Sequence, residues 1–156
     1  MTRRSTPIRI AALAAAIAAL CAVALQRPPS ALARSVSVDI SGSARVVPGN
    51  GTALRQVGTF SGRPLGQGTL RLTTRLGQGK GAVFTFSMTT SRGSVSGSGS
   101  IALKLGKKLA TYHGSASITS GTGAFRRYRA RNLRVTGSGG LNAKRFPIHL
   151  TGSLTT

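Results

Sequence analysis

The chain of 156 residues holds no glutamate, one aspartate (Asp39), no tryptophan and one cysteine (Cys21). Each scarcity excludes a chemistry. With one carboxylate, paired-acid catalysis of the glycosidase kind has no side chains to run on. A Ser-His-Asp triad would have to bring Asp39 to His113 or His149, and no serine stands in a nucleophile-elbow motif. Two histidines, one aspartate and one cysteine are too few for a transition-metal site, so neither metal nor cofactor is expected. Against this stand 22 Lys and Arg, with arginine outnumbering lysine 17 to 5, for a formal net charge of +21. Almost none of these cations can be neutralised within the chain. Such a surface either stays solvated and self-repelling or meets an anionic partner. The composition argues against an enzyme.

Long apolar runs are scarce too. The longest, Ile10 to Leu25, is sixteen residues and rich in alanine, short of the roughly 20 that a spanning helix needs. Arg3, Arg4 and Arg9 precede it, and Gln26, Arg27, Pro28 and Pro29 break any helix after it. Ala31-Leu32-Ala33 offers the small-x-small pattern that signal peptidases cut. The expectation is an N-terminal signal helix over 1–33, cleaved between Ala33 and Arg34, and an exported protein; an uncleaved membrane anchor is the alternative. Ser5-Thr6-Pro7 lacks the apolar pair that follows a twin arginine, and Leu20 stands where a small residue precedes a lipidated cysteine. After cleavage no cysteine remains, so the core must come from apolar burial rather than disulfides.

Beyond the signal the pattern is β throughout. Leu70 and Leu72 alternate with Arg71 and Thr73, Phe84, Phe86 and Met88 with Thr85 and Ser87, and Ile101, Leu103 and Leu105 with Ala102 and Lys104. A period of two sets the apolar residues on one face and the basic or hydroxylated ones on the other. The spacing predicts strands at 35–40, 43–47, 53–60, 67–76, 80–90, 93–105, 109–119, 132–137 and 144–154. Turns are expected at Pro48-Gly49-Asn50-Gly51, Gly77-Gln78-Gly79, Gly106-Lys107-Lys108, Gly121-Thr122-Gly123 and Gly137-Ser138-Gly139-Gly140. Glycines inside Val95-Ser-Gly-Ser-Gly-Ser100 favour a sharply coiled, closed antiparallel barrel over a sandwich. Pro147 removes a ladder donor, which predicts a bulge or an unpaired stretch there. The all-β domain spans 53–156, with 34–52 an N-terminal strand or loop segment that contributes its first strands.

Gly121-Thr122-Gly123 lacks the third glycine of a dinucleotide fingerprint, since Arg126 stands in its place, and no helix follows. It reads as a tight bend. Ile118-Thr-Ser-Gly-Thr-Gly-Ala-Phe125, followed by Leu133-Arg-Val-Thr-Gly137, resembles the glycine-rich segment of the allene oxide cyclase and dirigent β-barrel superfamily. The likeness covers roughly residues 54–154. It implies an eight-stranded antiparallel barrel, here a secreted bacterial member, of a kind that often forms homo-oligomers. The catalytic carboxylates of that superfamily have no counterpart, because Asp39 lies outside the matched segment. Where the superfamily has glycines after the phenylalanine, this chain has Arg127, Tyr128 and Arg131.

The arginine cluster is the main surface signal. Arg126, Arg127, Arg129, Arg131 and Arg134 surround Tyr128, and Lys144 and Arg145 are expected across from them on the next strand. Guanidinium forks match phosphate and carboxylate oxygens, and an interleaved aromatic can stack on a base or sugar. No recognition helix or paired stacking platform accompanies them, so specific nucleic-acid binding is not expected. Two non-catalytic functions fit: a small apolar ligand held inside the barrel, with Phe84, Phe86, Met88 and Tyr112 lining it, and an anionic envelope polymer or lipid held by the basic face. A cyclase- or dirigent-like enzyme acting by substrate orientation is the alternative. His113 and His149 fall on the outward parity, although a hollow barrel leaves room for a Tyr112-His113 pair in the pocket.

Overall fold

A computed structural model describes residues 33–48, 53–77, 81–140 and 143–156. Residues 1–32 of the expected signal segment and the turns at 49–51 and 78–79 lie outside these residues. Eight strands follow one another: β1 (Ser35–Val47), β2 (Ala53–Arg63), β3 (Gly66–Leu76), β4 (Gly81–Thr90), β5 (Gly93–Leu105), β6 (Leu109–Gly121), β7 (Ala130–Gly140) and β8 (Phe146–Thr155). Each pairs antiparallel with the next, and β8 returns to β1 to close the barrel. Closure gives every strand a neighbour on both sides, with the β7–β8 ladder the shortest seam.

The expected pair of strands at 35–40 and 43–47 is one continuous strand. Ser41-Gly42-Ser43 looks like a break in sequence, but the backbone runs straight through it, paired with Phe60 and its neighbours on β2. A side chain at Gly42 would press on the Phe60 Cβ at 3.2 Å, so the glycine makes room rather than a turn. Within the segment 34–52, residues Ser35–Val47 therefore supply one full strand of the barrel.

Alternation sorts the residues as the period of two requires. Val38, Ile40, Leu70, Phe84, Phe86, Met88, Val95, Ile118, Leu133 and Leu150 are buried in one cluster. Outward positions of β4, β5 and β6 are mostly serine and threonine. Inside, Phe86 faces Gly97 and Phe84 faces Gly99 across the β4–β5 ladder. A Cβ at Gly99 would stand 2.6 Å from the Phe84 ring, so the β5 glycines leave space for aromatic rings to lie over the strand. The register also shifts between Ser96 and Gly97, a bulge that bends the wall.

The two ends differ. At one, Leu65 between β2 and β3 is 2% exposed and Phe125 in the 3₁₀ turn Gly123–Phe125 is fully buried. Gly123 opens that turn at a φ of 57°, the left-handed conformation that glycine adopts freely. The expected bend at Gly121-Thr122-Gly123 is thus a link that folds a phenylalanine into the barrel as a plug. The other end, where β1–β2, β3–β4, β5–β6 and β7–β8 connect, carries no such plug among the described residues.

Candidate functional site

Toward that second end the barrel interior holds a cavity of about 260 Å³, open among the described residues. Leu70, Leu72, Phe84, Phe86 and Met88 form its floor and lower walls, and Val46, Leu54, Leu76, Leu103, Phe146 and Ile148 its upper walls. The described polar side chains that reach it are Gln56, Thr74 and Tyr112. Phe84 and Phe86 sit with ring centroids 6.2 Å apart, tilted by 38°. Of the residues singled out from sequence, Phe84, Phe86, Met88 and Tyr112 all line this cavity. His113 does not join Tyr112 there; strand alternation turns it outward, where it is exposed.

Tyr112 is the distinctive polar group. Its ring crosses β7 above Gly137, its direct partner on that strand, and its hydroxyl donates to the carbonyl of Pro147 on β8. Burial away from water disfavours the phenolate and pushes its pKa up to about 12. The β7–β8 ladder runs only from Arg134–Thr151 to Thr136–His149, so β8 lacks a β7 partner at Pro147. This is the unpaired stretch that a proline in a strand demands, and the phenol fills part of the gap.

The chain's one acid lies outside the barrel. Asp39 on β1 accepts a hydrogen bond from Nε2 of His149 on β8 at 2.8 Å, and since a carboxylate only accepts, Nε2 carries the proton. Their side chains are 71% and 45% exposed. Ser41 lies directly across from His149 in the β1–β8 ladder. The pair stands on an open wall, and no hydroxyl hydrogen-bonds the imidazole among the described residues. The sequence named both partners of this pair; their meeting depends on β8 closing against β1.

The basic residues separate into two groups. Arg126, Arg127, Arg129, Arg131 and Arg134 are all exposed, the first three at the plugged end. Lys144 and Arg145 are exposed as well, but they precede β8 and so lie at the open end. They do not face the cluster, because an antiparallel hairpin sets the start of β8 beside the end of β7, not its beginning. Arg145 instead lines a concavity on the outer wall with Arg45 and Arg71, among Ser43, Thr59 and Thr69. Tyr128 is partly buried, and its ring packs on Phe125 at 5.2 Å between centroids, tilted by 54°. Arg129 donates to the carbonyls of Arg126 and Tyr128, at 3.0 and 2.8 Å, and so holds the link together. Arg92, not singled out from sequence, lies 5.6 Å over the Phe125 ring.

No family model, curated protein or solved structure matches the chain.

Proposed function

We propose that the barrel is a binding calyx that holds a small, largely apolar ligand in its open-ended interior. The observation that carries this reading is the 260 Å³ cavity, walled by aliphatic and aromatic side chains and floored by a packed core. A dry apolar cavity of about 150 Å³ takes up benzene. The present one suits a body of one or two rings, or a short folded aliphatic chain. Dispersion and water exclusion supply its attraction. Gln56 and Thr74 offer hydrogen bonds to a single polar group. An exported barrel of the allene oxide cyclase and dirigent type agrees with this reading. Catalysis inside would have no carboxylate to use, since Asp39 stands on the outer wall.

Native mass spectrometry of the protein, purified gently from its host, tests the reading by looking for a co-purifying organic mass. A neutral dye such as N-phenylnaphthylamine gives a second readout. Its fluorescence is expected to rise on binding and to be lost in Thr74→Phe, which fills the cavity. A barrel that takes up neither ligand nor dye would sink the proposal.

A second reading has its own support. Among the described residues the one carboxylate is hydrogen-bonded by His149, and Arg126, Arg127, Arg131 and Arg134 have no acidic partner, so their guanidinium groups are available to the oxygens of an anionic envelope polymer. Binding to such a polymer would fall steeply with salt and weaken in Arg127→Ala/Arg131→Ala. Binding unaffected by either would dismiss it.

A further inference from the structure

The exposed large apolar side chains are not scattered over the barrel. Val46, Leu54 and Leu76 rim the cavity mouth at 44%, 41% and 65% exposure. Leu105 and Leu109, at 65% and 55%, flank the tip of the β5–β6 hairpin. These five lie at the open end; the sixth exposed large apolar residue among the described residues, Val83 at 57%, faces outward from β4, two residues past the strand's start at that same end. The plugged end, by contrast, folds its large apolar residues inward, and the wall between is largely hydroxyls and arginine. Scattered apolar residues need no explanation, but a cluster around a cavity mouth marks an interaction surface.

Cations share this end. Lys107 and Lys108 sit between the two exposed leucines, in the sequence Leu105-Gly-Lys-Lys-Leu109, and both are exposed. Arg75, beside Leu76, and Lys144 and Arg145, just before β8, are exposed too. We infer that the open end of the barrel docks on an anionic phospholipid bilayer, with the leucine rim at the acyl boundary and the lysines and arginines among the headgroup phosphates.

Charge and apolarity together select this partner. A soluble polyanion would meet the cations and leave the leucines wet. A neutral apolar protein surface would cover the leucines and strand the lysines without counter-charge. An anionic bilayer offers both within one interfacial depth, and long lysine stems reach from one layer to the other. Among the described residues the polar wall has no apolar band of the kind that a spanning barrel shows, so the contact is an end-on dock and not an insertion. Docking does not require the cavity to hold a ligand. If it does, the mouth opens onto the phase in which apolar ligands dissolve.

Because the chain has no tryptophan, one introduced tryptophan reports its own surroundings. In the full chain, Leu105→Trp at the open end is expected to shift to the blue and resist acrylamide quenching on phosphatidylglycerol-containing vesicles. Ala124→Trp, at the plugged end, should do neither. Each lysine near the surface contributes about fivefold to partitioning, so Lys107→Gln/Lys108→Gln should weaken vesicle co-sedimentation about 25-fold. Leu105→Ser/Leu109→Ser should abolish it. Four outcomes overturn the inference: a shift in Ala124→Trp in place of Leu105→Trp; equal binding to phosphatidylcholine alone; binding to a soluble polyanion without any vesicle shift; and sedimentation that survives Leu105→Ser/Leu109→Ser combined with Leu54→Ser and Leu76→Ser, which would take the contact away from the apolar rim. Ligand uptake by the dye assay is read separately, so either proposal can fail alone.

Discussion

The hydroxyl of Tyr112 and the carbonyl of Pro147 are joined by a hydrogen bond that reaches over β7 from β6 to β8. A proline, an alternating tyrosine and a glycine cooperate in it. Pro147 sits where β8 has lost its β7 partner, leaving a carbonyl to satisfy. Gly137, opposite Tyr112 on β7, has no side chain to obstruct the ring. The half-buried phenol closes the barrel wall where the backbone ladder leaves it open.

Removing the hydroxyl should therefore expose this gap. Tyr112→Phe keeps the ring and strands the carbonyl, for a loss of about 1 kcal/mol at neutral pH by urea unfolding. The pH dependence has a definite sign. The unfolded phenol ionises near 10 and the folded one near 12. Above pH 10 the folded state holds more protons than the unfolded state, so stability falls as pH rises through this window. Solvent screening at a half-buried site limits the effect to about 1 kcal/mol. The difference in slope between the wild type and Tyr112→Phe over pH 10–12 isolates it. Identical slopes would remove the phenol from the account.

Gly137→Ala tests the same contact from the other strand. The added methyl would fall on the Tyr112 ring and on the Pro147 carbonyl. Overpacking of this kind costs about 1–3 kcal/mol. A Gly137→Ala/Tyr112→Ala double variant should recover part of that cost, because the collision disappears with the ring. Strict additivity in the cycle would show that the two residues do not interfere.

Much of this architecture is legible in the residues. Period-two alternation at Leu70–Leu72 and Phe84–Met88 exposes strands because one face of a barrel wall is buried, and the Ser-Gly repeat of β5 announces the coiling that closes it. Contacts set by closure are less visible. Asp39 and His149 are separated by 110 positions, and only the β1–β8 seam joins them. Lys144 and Arg145 depart from the expected place opposite the arginine cluster because the start of a strand after a hairpin lies beside the end of its predecessor. Leu105-Gly-Lys-Lys-Leu109 carries a turn signal strong enough to hide its two leucines, whose exposure depends on which barrel end is plugged.

That difference between the ends can be measured. Phe125 is fully buried beneath Arg92 and Tyr128, so Phe125→Ala should cost about 3–5 kcal/mol by leaving a cavity in the plug. Leu105→Ser, at 65% exposure, should stay within about 0.5 kcal/mol of the wild type. Urea midpoints at constant slope give both numbers. A large loss in Leu105→Ser would mean that its side chain is covered in solution and would remove it from any docking surface.

Salt should stabilise this protein. With 22 Lys and Arg against one acid, and that acid occupied by His149, added electrolyte mainly screens repulsion between like charges. An increase from about 10 mM to 0.5 M sodium chloride shortens the Debye length severalfold. A gain of about 1 kcal/mol is expected, a rise in Tm of about 3–4 °C for a chain of this size. Sodium sulfate at matched ionic strength separates screening from occupancy. If arginine forks such as those of Arg126, Arg127 and Arg131 bind oxyanions, sulfate should add to the chloride effect, and the Arg127→Ala/Arg131→Ala variant should lose the addition but keep the screening. A Tm that falls with chloride would mean that attractive pairs, not unpaired cations, dominate the surface of the folded barrel.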